Sequence, residues 1–196
     1  MIPQSPPSRC PRRPRSGNTL SRRHVMDIQC VQGDITAQPD LDAIVNAANA
    51  RLATGGGVAG AIHRAAGPQL ARECAPLAPI EPGQAVLTGG HGLPNPHVIH
   101  CLGPVYGRDR PADRLLAECY RNALRLAEDA GLTSLGFPAL STGAFGYPMD
   151  EAAAVALATV VAEGARLERV KRVRFVLFDA ASLAAHRRAL EAATGT

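Results

Sequence analysis

The chain has 196 residues, 46% of them apolar and 19% charged, with a net charge of +4. That balance suits one soluble globular domain with a full core and excludes a disordered or fibrous chain. No apolar run approaches the roughly 20 residues of a membrane span, no secretory core segment opens the chain, and five cysteines without a CxxC pair argue against a disulfide framework or zinc ribbon and for a reducing cytoplasm.

Residues 1–25, MIPQSPPSRCPRRPRSGNTLSRRHV, hold six arginines and no acid, are rich in Pro and Ser, and show no periodicity. They read as a disordered leader. A basic arm, an arginine-rich transit peptide and an extension upstream of a true start at Met26 are all open readings of it. Without the leader the chain has 15 basic against 17 acidic residues, so a nucleic-acid partner is expected only through the leader. The folded domain is expected over residues 26–194.

From Val25 strand and helix alternate. HVMDIQCVQ reads as a strand ending at GDIT, and DAIVNAAN as a short buried strand entering a loop. VAGAIHRAAG reads as a small-residue helix, with a further helix in GPQLARECAPL and two short strands around QAVLTGG and HVIHCLGP. PADRLLAECYRNALRLAEDAG is the clearest helix: Pro111 suits its first turn, Leu115, Leu116, Cys119, Tyr120, Ala123, Leu124 and Ala127 share one face, and Gly131 ends it. Strand SLGFPAL, loop STGAFGYP, helix MDEAAAVALATVVAEGA, strand RVRFVLF and helix SLAAHRRALEAA complete the order. Such alternation predicts an α/β domain with helices on both faces of a largely parallel sheet.

Ligands of such sheets sit at the carboxyl ends of the strands, which selects GDIT, NAANARLATGGG, STGAFGYP and FDAAS. Three glycines before a helix, in TGGGVAGAIHRAAG, expose backbone N–H groups at a helix N-terminus, a site for an anion. The lysine-bearing GxxxxGK[ST] loop is absent. On physical grounds alone the site takes a small phosphorylated ligand.

GDITAQPDLDAIVNAANARLATGGGVAGAIHRAAGPQL, followed in order by VIHCLGPVY, ALSTGAFGYP and VLFD, closely resembles the macrodomain family over residues 26–192. The resemblance implies a three-layer α/β/α fold with a mixed, largely parallel central sheet, and binding of ADP-ribose without cofactor or metal. It implies that Asp34 accepts from the adenine amino group beside Ile35, with Phe178 and Asp179 bordering the base. Ser141, Thr142, Gly143, Ala144 and Phe145 would wrap the diphosphate, with Phe145 on the distal ribose, and Gly55, Gly56, Gly57 and Val58 would close from the other side. Asn49, the second Asn of NAAN, would hold that ribose and place a water, an amide being able to donate and accept at once; Asn46 would brace the loop backbone. For Asp34 the alternative is a turn or cap residue.

Ala59 departs from the pattern. Hydrolytic relatives of the MacroD type read GGVDG, with an Asp implicated in activating water, whereas some de-ADP-ribosylating viral macrodomains read GGGVAG as here. His63, one turn after Ala59, is a catalytic candidate set against a structural reading. His91, His97 and His100 read as packing or surface residues rather than metal ligands. Cys101 and His100, adjacent on a strand, point to opposite faces and cannot pair as nucleophile and base. Asp150 and Glu151 read as dipole-complementing residues of a helix start.

Two functions follow from the resemblance. One is an enzyme that breaks an ester on the distal ribose, as a mono-ADP-ribosyl-protein hydrolase of glutamate or aspartate linkages or an O-acetyl-ADP-ribose deacetylase; its partners would be ADP-ribose, O-acetyl-ADP-ribose and mono-ADP-ribosylated proteins, with no membrane. The other is a non-catalytic ADP-ribose reader, favoured by Ala59. A cytoplasmic, bacterial protein fits the cysteine usage and the Arg- and Ala-rich composition.

Overall fold

A computed structural model describes residues 26–195; the leader expected over residues 1–25 lies outside the described residues. Six strands and five helices succeed one another as β1 (Asp27–Gln32), β2 (Ala43–Ala47), α1 (Gly57–Ala66), α2 (Pro68–Cys74), β3 (Ala85–Gly89), β4 (His97–Cys101), α3 (Ala112–Asp129), β5 (Ser134–Phe137), α4 (Met149–Gly164), β6 (Arg172–Leu177) and α5 (Ala180–Thr194), with one 3-10 turn at Ala75–Leu77 after α2. The sheet order is β1-β6-β5-β2-β4-β3. Every neighbouring pair is parallel except β3–β4. The sheet is therefore mixed and largely parallel, as the alternation of elements requires.

The alternation of strand side chains builds two cores. Ala43, Val45, Ile99, Cys101, Leu135, Phe137, Val173 and Phe175 face α3 and α4, whereas Ile44, Ala48, Val98 and Val176 face α1 and α2. The two layers of helices with the sheet between them make the three-layer fold. In α3 the expected apolar face is buried at Leu116, Cys119, Tyr120, Ala123, Leu124 and Ala127, while Leu115 is half-buried. Helix α4 packs between α3 and α5 and buries Ala152, Ala153, Ala156, Leu157 and Val160; small side chains let it approach both neighbours. Among the described residues no helix is long and apolar enough to cross a membrane.

Five of the six strands run in one direction, so the loops after β1, β2, β5 and β6 open on the same edge of the sheet. The opposite edge is tied by Asp42, whose Oδ2 accepts from Thr133 N and Oγ1, each at 2.7 Å, and from Ser134 N at 3.1 Å. That clamp sets the β2–β5 pair, and with it the spacing of the two loops that make the site.

Candidate functional site

Between the loops after β2 and β5 lies a cleft of about 310 Å³, lined by Asn49, Gly55–Val58 and Ala59 on one side and by Leu140, Ser141 and Gly143–Phe145 on the other, with Gly103 behind. No charged side chain lines it. Its polarity comes from the backbone. Among the described residues, the N–H groups of residues 55–59, of Ser141 and of residues 143–145 find no acceptor in the protein. The first set is the open end of α1, where the first turn has no partner one turn back. The second belongs to a turn fixed by Tyr147 N to Ser141 O at 3.0 Å and Gly146 N to Gly143 O at 2.9 Å. Two groups of free donors facing one cavity suit an anion held by dipoles rather than by ion pairs.

Helix α1 approaches the cleft closely because Gly60 has no side chain. A Cβ at Gly60 would collide with the Gly55 carbonyl oxygen, so the glycine loop folds directly over the helix. Its neighbour Ala59 is buried and presents only a methyl group to the cleft. The lining contains no carboxylate, imidazole or thiol.

The two asparagines of NAAN take different surroundings. Asn49 Oδ1 accepts from Arg51 N at 3.1 Å and Ala53 N at 3.2 Å, and Nδ2 donates to Ala53 O at 2.8 Å. Asn49 is thus the residue that braces the loop. One Nδ2 hydrogen remains, and the residue still lines the cleft. The expectation that Asn46 braces the backbone is corrected: it stands opposite His100 in the β2–β4 register and is buried, its Nδ2 3.0 Å from His100 Nδ1. An amide nitrogen donates, so His100 accepts at Nδ1 and carries its proton on Nε2, 2.9 Å from Thr88 Oγ1. Burial, with the nearby His63, pushes His100 down to about 4, and it is neutral at neutral pH. Cys101, the next residue, faces the other core, as strand alternation requires.

His63 lies behind the cleft and does not line it. It is 5% exposed, its ring centre is 6.4 Å from that of His100, and burial holds its pKa below the usual imidazole value. His91 faces Glu73 at 2.6 Å. Asp150 and Glu151 do stand in the first turn of α4, and each also takes a partner: Arg188 for the first, the Tyr106 hydroxyl for the second.

The remaining expected residues gather one step along the edge, where β1 and β6 end side by side. Asp34 Oδ1 accepts from Thr36 N at 2.8 Å and Oγ1 at 2.7 Å, closing a turn, while Oδ2 has no hydrogen bond among the described residues. Ile35 is buried beneath it. Phe178 is 90% exposed, and Asp179 caps α5 by accepting from Ser182 N at 2.7 Å, a bond that holds its carboxyl below the usual range. These four residues do not line the cleft. Nor does Thr142, whose hydroxyl turns back to Ala139 O at 3.0 Å. Sequence reasoning missed Gly60, which ends the GGGVAG stretch itself, and Gly103; both are significant only for what approaches them in space.

The Macro domain family model matches residues 45–156. Over 167 residues the chain is 47% identical to a Klebsiella pneumoniae protein named O-acetyl-ADP-ribose deacetylase, covering 83% of this chain and 95% of that protein. Among solved structures it is similar to an Oceanobacillus iheyensis macrodomain with ADP (TM-score 0.84, 37% identity, 89% of this chain and 95% of that one). It is also similar to a Trypanosoma brucei macrodomain in complex with ADP-ribose (TM-score 0.79, 39% identity, 86% of this chain and 71% of that one).

Proposed function

The chain belongs to the macrodomain family, and from that premise we propose that it binds ADP-ribose and hydrolyses an ester on the distal ribose, with O-acetyl-ADP-ribose as the first substrate to test. One observation carries the reading: the cleft has two sets of free backbone N–H groups and no charge of its own. The diphosphate would lie between residues 55–59 and 141–145, and adenine would extend toward Asp34, Phe178 and Asp179. A carboxylate is apt there, since an exocyclic amine only donates. The resemblance to a named deacetylase and to macrodomains holding ADP or ADP-ribose supports this placement. Removal of mono-ADP-ribose from glutamate or aspartate side chains breaks the same kind of ester and is included in the proposal, with mono-ADP-ribosylated proteins as partners.

Hydrolysis needs a water directed at the ester carbonyl, a proton removed from that water, and the ribose hydroxyl as leaving group. No side chain lining the cleft is a general base, so chemistry here rests on position. The remaining Nδ2 hydrogen of Asn49 would donate to a ribose hydroxyl, and Phe145 would close on the sugar. The proton would leave through the ligand's own phosphate oxygens or solvent. Orientation alone accelerates reactions substantially, while a positioned base is worth a further ~10²–10⁴-fold, so slow turnover is expected. Ala59 favours the second reading, a reader that binds without turnover.

Calorimetry with ADP-ribose, alongside single-turnover acetate release from O-acetyl-ADP-ribose, separates these outcomes. Release by the native chain that falls further than binding in Asn49→Ala supports the enzyme. Binding without release, restored by Ala59→Asp, establishes the reader; no binding at all refutes both.

A further inference from the structure

Two costs fall on Ser141. It is one of three residues other than glycine with positive φ among the described residues, at +65°, a conformation that a side chain disfavours. Its hydroxyl is also buried with no hydrogen-bond partner in the protein. Costs of this kind persist where the surroundings over-determine them. Here the surrounding group is Gly103. A Cβ at Gly103 would run into Ser141 Oγ and stand 3.3 Å from Ser141 Cβ. Both residues line the cleft, yet they come from different loops, after β4 and after β5.

We propose that Gly103 is a positioning residue for the anion loop: the space left by its missing side chain seats the Ser141 hydroxyl, and that seat holds the left-handed turn at 141 in place. The proposal rests on reading the cleft as an ADP-ribose site. Beyond Ser141 the chain presents the unpartnered N–H groups of residues 143–145, and Tyr147 N returns to Ser141 O to close the turn. A methyl group at 103 leaves the hydroxyl two courses. It can swing into the cleft where the diphosphate would lie, or it can lift the loop and misaim the donors. Either weakens the ligand without touching any residue that bonds it through a side chain.

The test is a double-mutant cycle read by ADP-ribose calorimetry and thermal unfolding. Gly103→Ala is expected to weaken binding roughly 10- to 100-fold. Ser141→Gly, which suits the positive φ but loses the seated hydroxyl, is expected to weaken binding about 3-fold. Gly103→Ala with Ser141→Gly should recover to a similar level, because the colliding side chain is gone. Native-like binding by Gly103→Ala overturns the proposal. So does a double variant that stays as weak as Gly103→Ala, since the methyl would then obstruct the ligand directly, or a double variant that fails to fold. If the native chain binds no ADP-ribose, the functional reading fails instead, and the cycle separates that case by its starting point.

Discussion

At the carboxyl edge of the sheet, the loops after β2 and β5 offer a ligand backbone N–H groups, glycines and methyls. The loops after β1 and β6, the adjoining pair of strands, offer a carboxylate, an exposed ring and a capping aspartate. The first region is defined by what its residues lack. Gly60 lets a loop lie on a helix, Gly103 seats a hydroxyl, and Ala59 removes a carboxylate from the cleft. The second is defined by what its side chains add, and each already has a structural partner or an open face. The lesson is that added bulk should damage the first region, and lost side-chain atoms should damage the second.

The backbone-built region also leans on a titratable support. His100 has a native pKa of about 4 against roughly 6.5 unfolded, so the unfolded chain takes up the proton first as pH falls. The stabilisation is complete above pH 6.5 and is lost progressively between about 6.5 and 4, up to about 3 kcal/mol. Denaturant unfolding across that window should show the slope, and His100→Phe should flatten it. Buried His186, also lowered chiefly by burial, keeps the variant's profile from becoming level.

Gly60→Ala is expected to come next in size, costing about 1–3 kcal/mol in stability and roughly 100-fold in ADP-ribose binding through the displaced Gly55 loop. Thermal unfolding with calorimetry reads both. Phe178→Ala should leave stability unchanged, since the ring is 90% exposed, and weaken ADP-ribose binding by about 10-fold if a base stacks there. The smallest effect belongs to Asp34→Asn, which keeps an acceptor for Thr36 and should cost only about 3-fold in binding. Ribose 5-phosphate, lacking the base, breaks or sharpens the contrast: its binding should be insensitive to Phe178→Ala and Asp34→Asn, and sensitive to Gly60→Ala. Equal sensitivity in both regions would contradict it.

Much of this was legible in the sequence because it follows from local rules. Strand-to-helix alternation gave the layers, the glycine run marked the open helix end, and the rule of strand carboxyl ends selected the four loops that share one edge. What escaped depends on contacts between distant segments. Which asparagine of NAAN braces the loop turns on the β2–β4 register, which points Asn46 at His100 and leaves Asn49 in the loop. The Thr142 hydroxyl bonds backward to Ala139 O, a contact that the loop's composition does not announce. Gly103 sits in an ordinary Gly-Pro pair, and nothing in that pair announces a serine arriving from 38 residues further along. Asp34 was legible both as ligand contact and as turn former, and its two oxygens leave room for both.

The most direct measurement is an amide ¹H–¹⁵N titration with ADP-ribose. Binding through backbone dipoles predicts the largest shifts at residues 57–59 and 141–145, with smaller ones at 34, 35, 178 and 179. Shifts confined to other surfaces, with these amides unmoved at saturation, would contradict an anion cleft made of free N–H groups.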